Sequence, residues 1–186
     1  MTTAYLVGGD DYKGGVHSYI WKLDFEKSPL KWEKVSNLLN RRYGHACTLI
    51  TVRKEPYIMT VGGLSNAHMT YKAQVKIPEK ETPDLKHLSL QITSSVELYN
   101  INSGRRVFTA MLPKPLHGGS LTYAGSRLIY FGGVDPYGEA SAVAYEYIPR
   151  PSGLDFDPEK TDINSFWKEH PLNVSSRHLI AFGYSL

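Results

Sequence analysis

The chain has 186 residues, 41% of them hydrophobic and 12% aromatic, enough to bury an ordinary core. Its net charge is +3, and its basic residues are scattered as pairs such as Arg41 with Arg42 and Arg105 with Arg106, so a nucleic-acid partner is not the expectation. The first residues lack a basic, apolar secretory leader, no apolar stretch nears membrane-spanning length, and the single cysteine, Cys47, excludes an internal disulfide. Together these point to a cytoplasmic location. Asn173-Val174-Ser175 matches a glycosylation acceptor, a triplet that arises often by chance.

Read in chain order, a short apolar strand runs into a glycine pair three times: "AYLVGG" ending at Gly8-Gly9, "YIMTVGG" at Gly62-Gly63 and "RLIYFGG" at Gly132-Gly133. The pairs lie 54 and 70 residues apart, the spacing of a repeat architecture. A second strand-like run follows each pair: "HSYIWKLD" from 17, "SSVELYN" from 94 and "SAVAYEYI" from 141. A third carries a large aromatic, in "KWEKV", "RVFTAM" and "SFWKEH", with Leu23 to Trp32 and Tyr99 to Phe108 both nine residues apart. A fourth begins at a histidine, in "GHACTLITV", "HGGSLTYAG" and "RHLIAFGY", placing His45, His117 and His178 at matching positions. Four short strands per unit and no convincing helical period predict an all-β chain of antiparallel four-stranded sheets.

These linked motifs resemble the kelch repeat, one blade of a β-propeller. Tyr99 takes the tyrosine place in the second unit, Tyr145 or Tyr147 in the third, and Leu23 departs from it in the first; Trp32 and Trp167 match the tryptophan, with Phe108 standing in. The resemblance implies units at about 4–43, 44–116 and 117–176, a closing strand at 177–184, and insertions at 64–93 and 149–164. Three blades are fewer than the four to eight that close a ring. The expectation is a partial propeller, completed by further blades of a longer chain or by a homodimer.

The loops joining second to third strands, at 10–15, 64–93 and 134–139, share one side of such a ring with the loops entering the first strands. By resemblance this side grips a protein partner, and the residues that match the role are Arg41, Arg42, Tyr43, Tyr12, Tyr137 and Arg177, whose guanidinium groups and phenols supply bidentate and amphipathic contacts. The partner class implied is a ubiquitin-ligase substrate or a cytoskeletal protein, with no nucleic acid, membrane, cofactor or chemistry. An alternative is a propeller enzyme with a metal or sugar site near the channel. Three histidines of matching position hold metals elsewhere, Trp21 and Tyr19 offer stacking surfaces, and Cys47, alternating within "HACTLI", reads as a core residue.

Overall fold

The computed structural model describes residues 2–11, 13, 15–52, 54–65, 91–109, 111–124, 127–148 and 167–172. Among them no helix occurs, so none is long and apolar enough to cross a membrane, and the strands form four antiparallel sheets, none closed into a barrel. The first sheet is β1 (Thr3–Val7), β2 (Tyr19–Asp24) and β3 (Trp32–Asn37), in that order. The second runs β5 (Ala46–Val52), β6 (Glu55–Val61), β9 (Val96–Asn100), β10 (Arg106–Thr109). The third repeats that order with β11 (His117–Ala124), β12 (Arg127–Val134), β13 (Val143–Tyr147), β14 (Trp167–Pro171). A small sheet runs β4 (Arg42–Tyr43), β7 (Leu64–Ser65), β8 (Gln91–Ile92), joining the approach to β5 to the base of the loop after the second glycine pair. The expected segments 149–164 and 177–184 lie outside the described residues.

The repeat is written in backbone hydrogen bonds. The carbonyl of the second glycine accepts from His17 at Gly9, from Thr93 at Gly63 and from Ser141 at Gly133, at 2.9 Å each time. Past the end of the last strand, the amides of Leu38, Leu112 and Leu172 donate at the matching point to the carbonyls of Ser18, Ser94 and Ala142, respectively. The glycines are required by the conformation, since all six have positive φ. Gly62 is further constrained, because a Cβ there would lie 2.3 Å from the Leu116 carbonyl oxygen.

The sheets pack face on face, and alternation along each strand decides which side chains meet. Each sheet has a forward face toward the next sheet and a rear face toward the previous one. Forward residues Val7 and Ile20 of the first sheet cluster with rear residues Ile58 and Tyr99 of the second. Forward residues Ala46, Ile50, Met59, Val61, Val96 and Leu98 of the second cluster with rear residues Leu121, Leu128, Tyr130, Tyr145 and Tyr147 of the third. A strand covered on both faces needs apolar residues throughout rather than alternation, which is why "YIMTV" and "VELY" are such continuous runs.

Pairing register resolves one open part of the expected alignment and corrects two others. Ile58 opposes Tyr99 and Leu128 opposes Tyr147, so of the two alternatives in the third unit it is Tyr147 that matches Tyr99. Trp32 and Trp167 oppose Leu23 and Tyr147, whereas Tyr99 opposes Arg106; Phe108 lies across from Glu97 and does not stand in for the tryptophan. On the first strands, Gly9 donates to the Arg42 carbonyl and Gly63 to that of Leu116, which aligns Arg42 with Leu116, Gly44 with Gly118 and His45 with Gly119. His117 therefore matches Tyr43, and His45 and His117 are not equivalent.

Replacing Gly62 by alanine combines the left-handed penalty with a backbone clash, and is expected to cost more than 3 kcal/mol of unfolding free energy. Gly138 also has positive φ but open space at its Cβ, so Gly138→Ala should cost only about 1–2 kcal/mol. Urea denaturation of both variants checks the order.

Candidate partner-binding surface

The loops that follow the glycine pairs share one backbone device. Asp11 Oδ1 accepts from the Lys13 and Gly15 amides at 3.0 and 2.9 Å, and Asp135 Oδ1 accepts from the Tyr137 and Glu139 amides at 2.9 and 3.0 Å. Each aspartate closes its own tight turn, an Asx-type motif that fixes the tip without a second element. The Gly15 and Lys13 amides hold the Asp11 carboxyl below the usual carboxylate range, with His17 Nε2 adding a contact at 3.3 Å. Isolated bridges Asp10 to Val16 and Val134 to Ala140 frame the two turns in the same register. In the second unit the pairing of Leu64 with Ile92 occupies that register, and the sequence has 65–91 there where the others have five residues.

The structure distributes the six expected contact residues unevenly. Tyr137 stands at the tip of the 135–139 turn, 89% exposed, its backbone held by Asp135. Arg41 and Tyr43 are partly exposed on the segment that enters the second sheet, Tyr43 paired with Leu64 in the small sheet. Tyr12 and Arg177 lie outside the described residues.

Arg42 requires a correction: it is fully buried and belongs to the frame, not to the surface. Neighbouring residues on an extended segment point apart, so Arg41 and Arg42 diverge. Arg42 Nη1 donates to the Gly62 and Ser95 carbonyls at 2.8 and 3.2 Å, and Nη2 to Ser95 Oγ at 2.9 Å and to Glu97 Oε1. Glu97, 2% exposed, also accepts the Leu39 amide at 2.6 Å and the Asn40 amide at 3.2 Å. One carboxylate thus ties the crossover from the first sheet to the third-placed strand of the second. The sequence signal was present in the glutamate of "SSVELYN", an acid in a run otherwise fit for burial, whose partner had to be a cation.

Of the three histidines of the enzyme alternative, two lie among the described residues, and they do not occupy matching places. His45 is wedged between Gly8 and Gly63, whose added Cβ atoms would lie 2.8 Å from its Cε1 and 2.9 Å from its Cβ. Burial, reinforced by the Arg42 charge and opposed by a hydrogen bond to the Val7 backbone, pushes its pKa down to about 3. His117 lies two places off the matching position, and His178 lies outside the described residues. Among the described residues no group of three or more His, Cys, Asp or Glu side chains is spaced to hold a metal ion. Tyr19 stacks on His17 at 5.1 Å with Lys34 Nζ 3.8 Å above its ring, and meets Trp21 edge-on at 6.2 Å. Cys47 is exposed, a second correction, because it projects from the rear face of β5 where the first sheet, having three strands, provides no cover.

No protein-family model matches the chain, and no curated protein does. Among solved structures it is similar to that of YjhT, with 15% identity and a TM-score of 0.57, over 91% of this chain and 42% of that one. The chain therefore spans less than half the length of YjhT, and at this identity the likeness extends to the fold alone.

Glu97→Gln leaves Arg42 as a buried cation without a full countercharge and is expected to cost about 3–5 kcal/mol in chemical denaturation. His45 sets a pH dependence whose sign follows from its depressed pKa. The unfolded imidazole, near 6.5, binds a proton that the folded one refuses down to about 3, so its contribution is complete above pH 6.5 and is lost as pH falls. Between pH 6 and 4 the wild type should lose about 1.4 kcal/mol per pH unit more than His45→Gln.

Proposed function

We propose that this chain is a kelch-type β-propeller module that binds a protein partner through the loops following its glycine pairs and performs no chemistry itself. The observation that carries the reading is Tyr137: a large aromatic, 89% exposed, on a turn whose backbone is already fixed by Asp135. An exposed tyrosine pre-ordered in this way loses little entropy on binding and supplies both apolar area and a hydroxyl. Arg41 and Tyr43 add a cation and a second phenol from a first-strand approach. Meandering four-stranded sheets, joined at glycine pairs of positive φ and stacked face on face, support the kelch reading of the frame. The partner class is a cytoplasmic protein, either a ubiquitin-ligase substrate or a cytoskeletal component, as the family resemblance implies.

Affinity capture with the chain as bait, followed by identification and titration of the bound protein, tests the reading. Tyr137→Ala is expected to weaken binding by about 2 kcal/mol, roughly 30-fold, with the unfolding midpoint unchanged. Arg41→Ala should weaken it less and more so at low salt. Binding that survives both substitutions would exclude this surface as the grip.

A further inference from the structure

The two junctions between sheets are made the same way, forward face on rear face, and among the described residues nothing covers the rear face of the first sheet or the forward face of the third. We infer that two copies of this chain join head to tail, the forward face of each third sheet packing on the rear face of the other copy's first sheet, so that six sheets close one ring. The inference rests on the propeller reading of the frame and is independent of which loops grip a partner.

Both open faces are apolar enough to require cover. The rear face of the first sheet presents Leu6, 54% exposed, and Trp32, 41% exposed, beside Trp21 and Leu23. The forward face of the third presents Ile129 and Phe131, each partly exposed, around buried Ala144. No strand pairs with the outer edge of β1 among the described residues.

The repeat register says which residues would meet. In the two existing junctions Val7 clusters with Ile58, and Val61 with Leu128. Carried to the open faces, those places are Phe131 and Ala4, so the valine has grown to phenylalanine where the branched partner has shrunk to alanine. Likewise Tyr5 packs against the cluster holding Tyr99, and Met59 shares one with Tyr147; the open equivalents are Ile129 and Leu23. Paired size changes of this kind keep the volume of a packed junction constant. A forward-on-rear contact is heterologous, and it forms a closed assembly when the rotation per sheet completes a circle; six sheets fall within the range that closes a propeller, and three do not.

Light scattering of the chain should give a mass of about 42 kDa, twice 20.9 kDa. Leu6→Glu and Ile129→Glu, on opposite open faces, should each give a folded monomer by circular dichroism, whereas Tyr123→Glu, 49% exposed on β11 and on the same side as Leu121, away from both open faces, should remain dimeric. In a Cys47→Ser background, Leu23→Cys and Ile129→Cys chains should be cross-linked to each other by a short bismaleimide and neither to itself. A monomeric wild type would overturn the inference, as would cross-linking of either single variant to itself, which reports a face-to-face contact. A monomer that still captured its partner through Tyr137 would leave the proposed function standing.

Discussion

A buried ion pair organises the frame. Glu97 accepts Arg42 and two crossover amides, and Arg42 in turn satisfies the Gly62 and Ser95 carbonyls, so one pair connects the last strand of the first sheet, the glycine turn and the third-placed strand of the second sheet. Taking both charges out of water costs several kcal/mol, and their attraction roughly offsets that cost. What the pair supplies is geometry. With the Glu97 carboxylate fixed, residues 39 and 40 have one path available, and that path sets the position from which β5 enters its sheet. Gly62 participates twice, through its carbonyl on Arg42 and through the lack of a side chain that would meet Leu116.

The neighbouring units hold the same backbone with different side chains. At the place of Glu97 the first sheet has Trp21 and the third Tyr145, and at the place of His45 the third has Gly119. These exchanges are coupled. Tyr130 in the third sheet occupies the position of Thr60, and its hydroxyl fills the space a Cβ on Gly119 would need, 2.3 Å away. In the second sheet the small Thr60 leaves that space to the His45 ring. Close packing therefore conserves the sum across a strand pair while letting each member vary, which is how three units of dissimilar sequence keep one hydrogen-bond pattern.

This explains what the sequence disclosed and what it concealed. Glycine pairs were legible because positive φ admits few substitutes, and strand runs were legible because double burial demands apolar residues. The first strands were misaligned because a histidine is conspicuous: His45 and His117 stand 17 and 15 residues before their glycine pairs, a mismatch created by the longer β5–β6 hairpin. Gly44 and Gly118, with φ of 61° and 70°, were the truer markers, and the Gly118 amide donates directly to the Gly44 carbonyl. The nine-residue spacing shared by Trp32 and Phe108 failed because the hairpins differ in length: Leu23 faces Trp32 nine residues on, whereas Tyr99 faces Arg106 seven residues on. Arg42 was assigned to the surface because adjacency to Arg41 suggests a basic patch, whereas pleating sends the two side chains opposite ways. Of the candidate site, Tyr137 was legible since a tyrosine between proline and glycine has no core to enter.

The frame and the loops answer to different constraints, and this separates stability from recognition. Between the second glycine and the next strand, the bridges Asp10 to Val16 and Val134 to Ala140 and the bonds of residues 17, 18, 141 and 142 anchor the base of each loop. Beyond that bridge the Asp135 turn is self-contained: its bonds are to its own amides, so replacing Pro136 or Tyr137 disturbs no junction. The second unit tolerates a far longer tip at the same register for the same reason, since Leu64 and Ile92 already close its base. Variation at these tips therefore changes what the surface presents without touching the Arg42–Glu97 core, and a repeat frame of this design can alter its partner while its sheets remain in place.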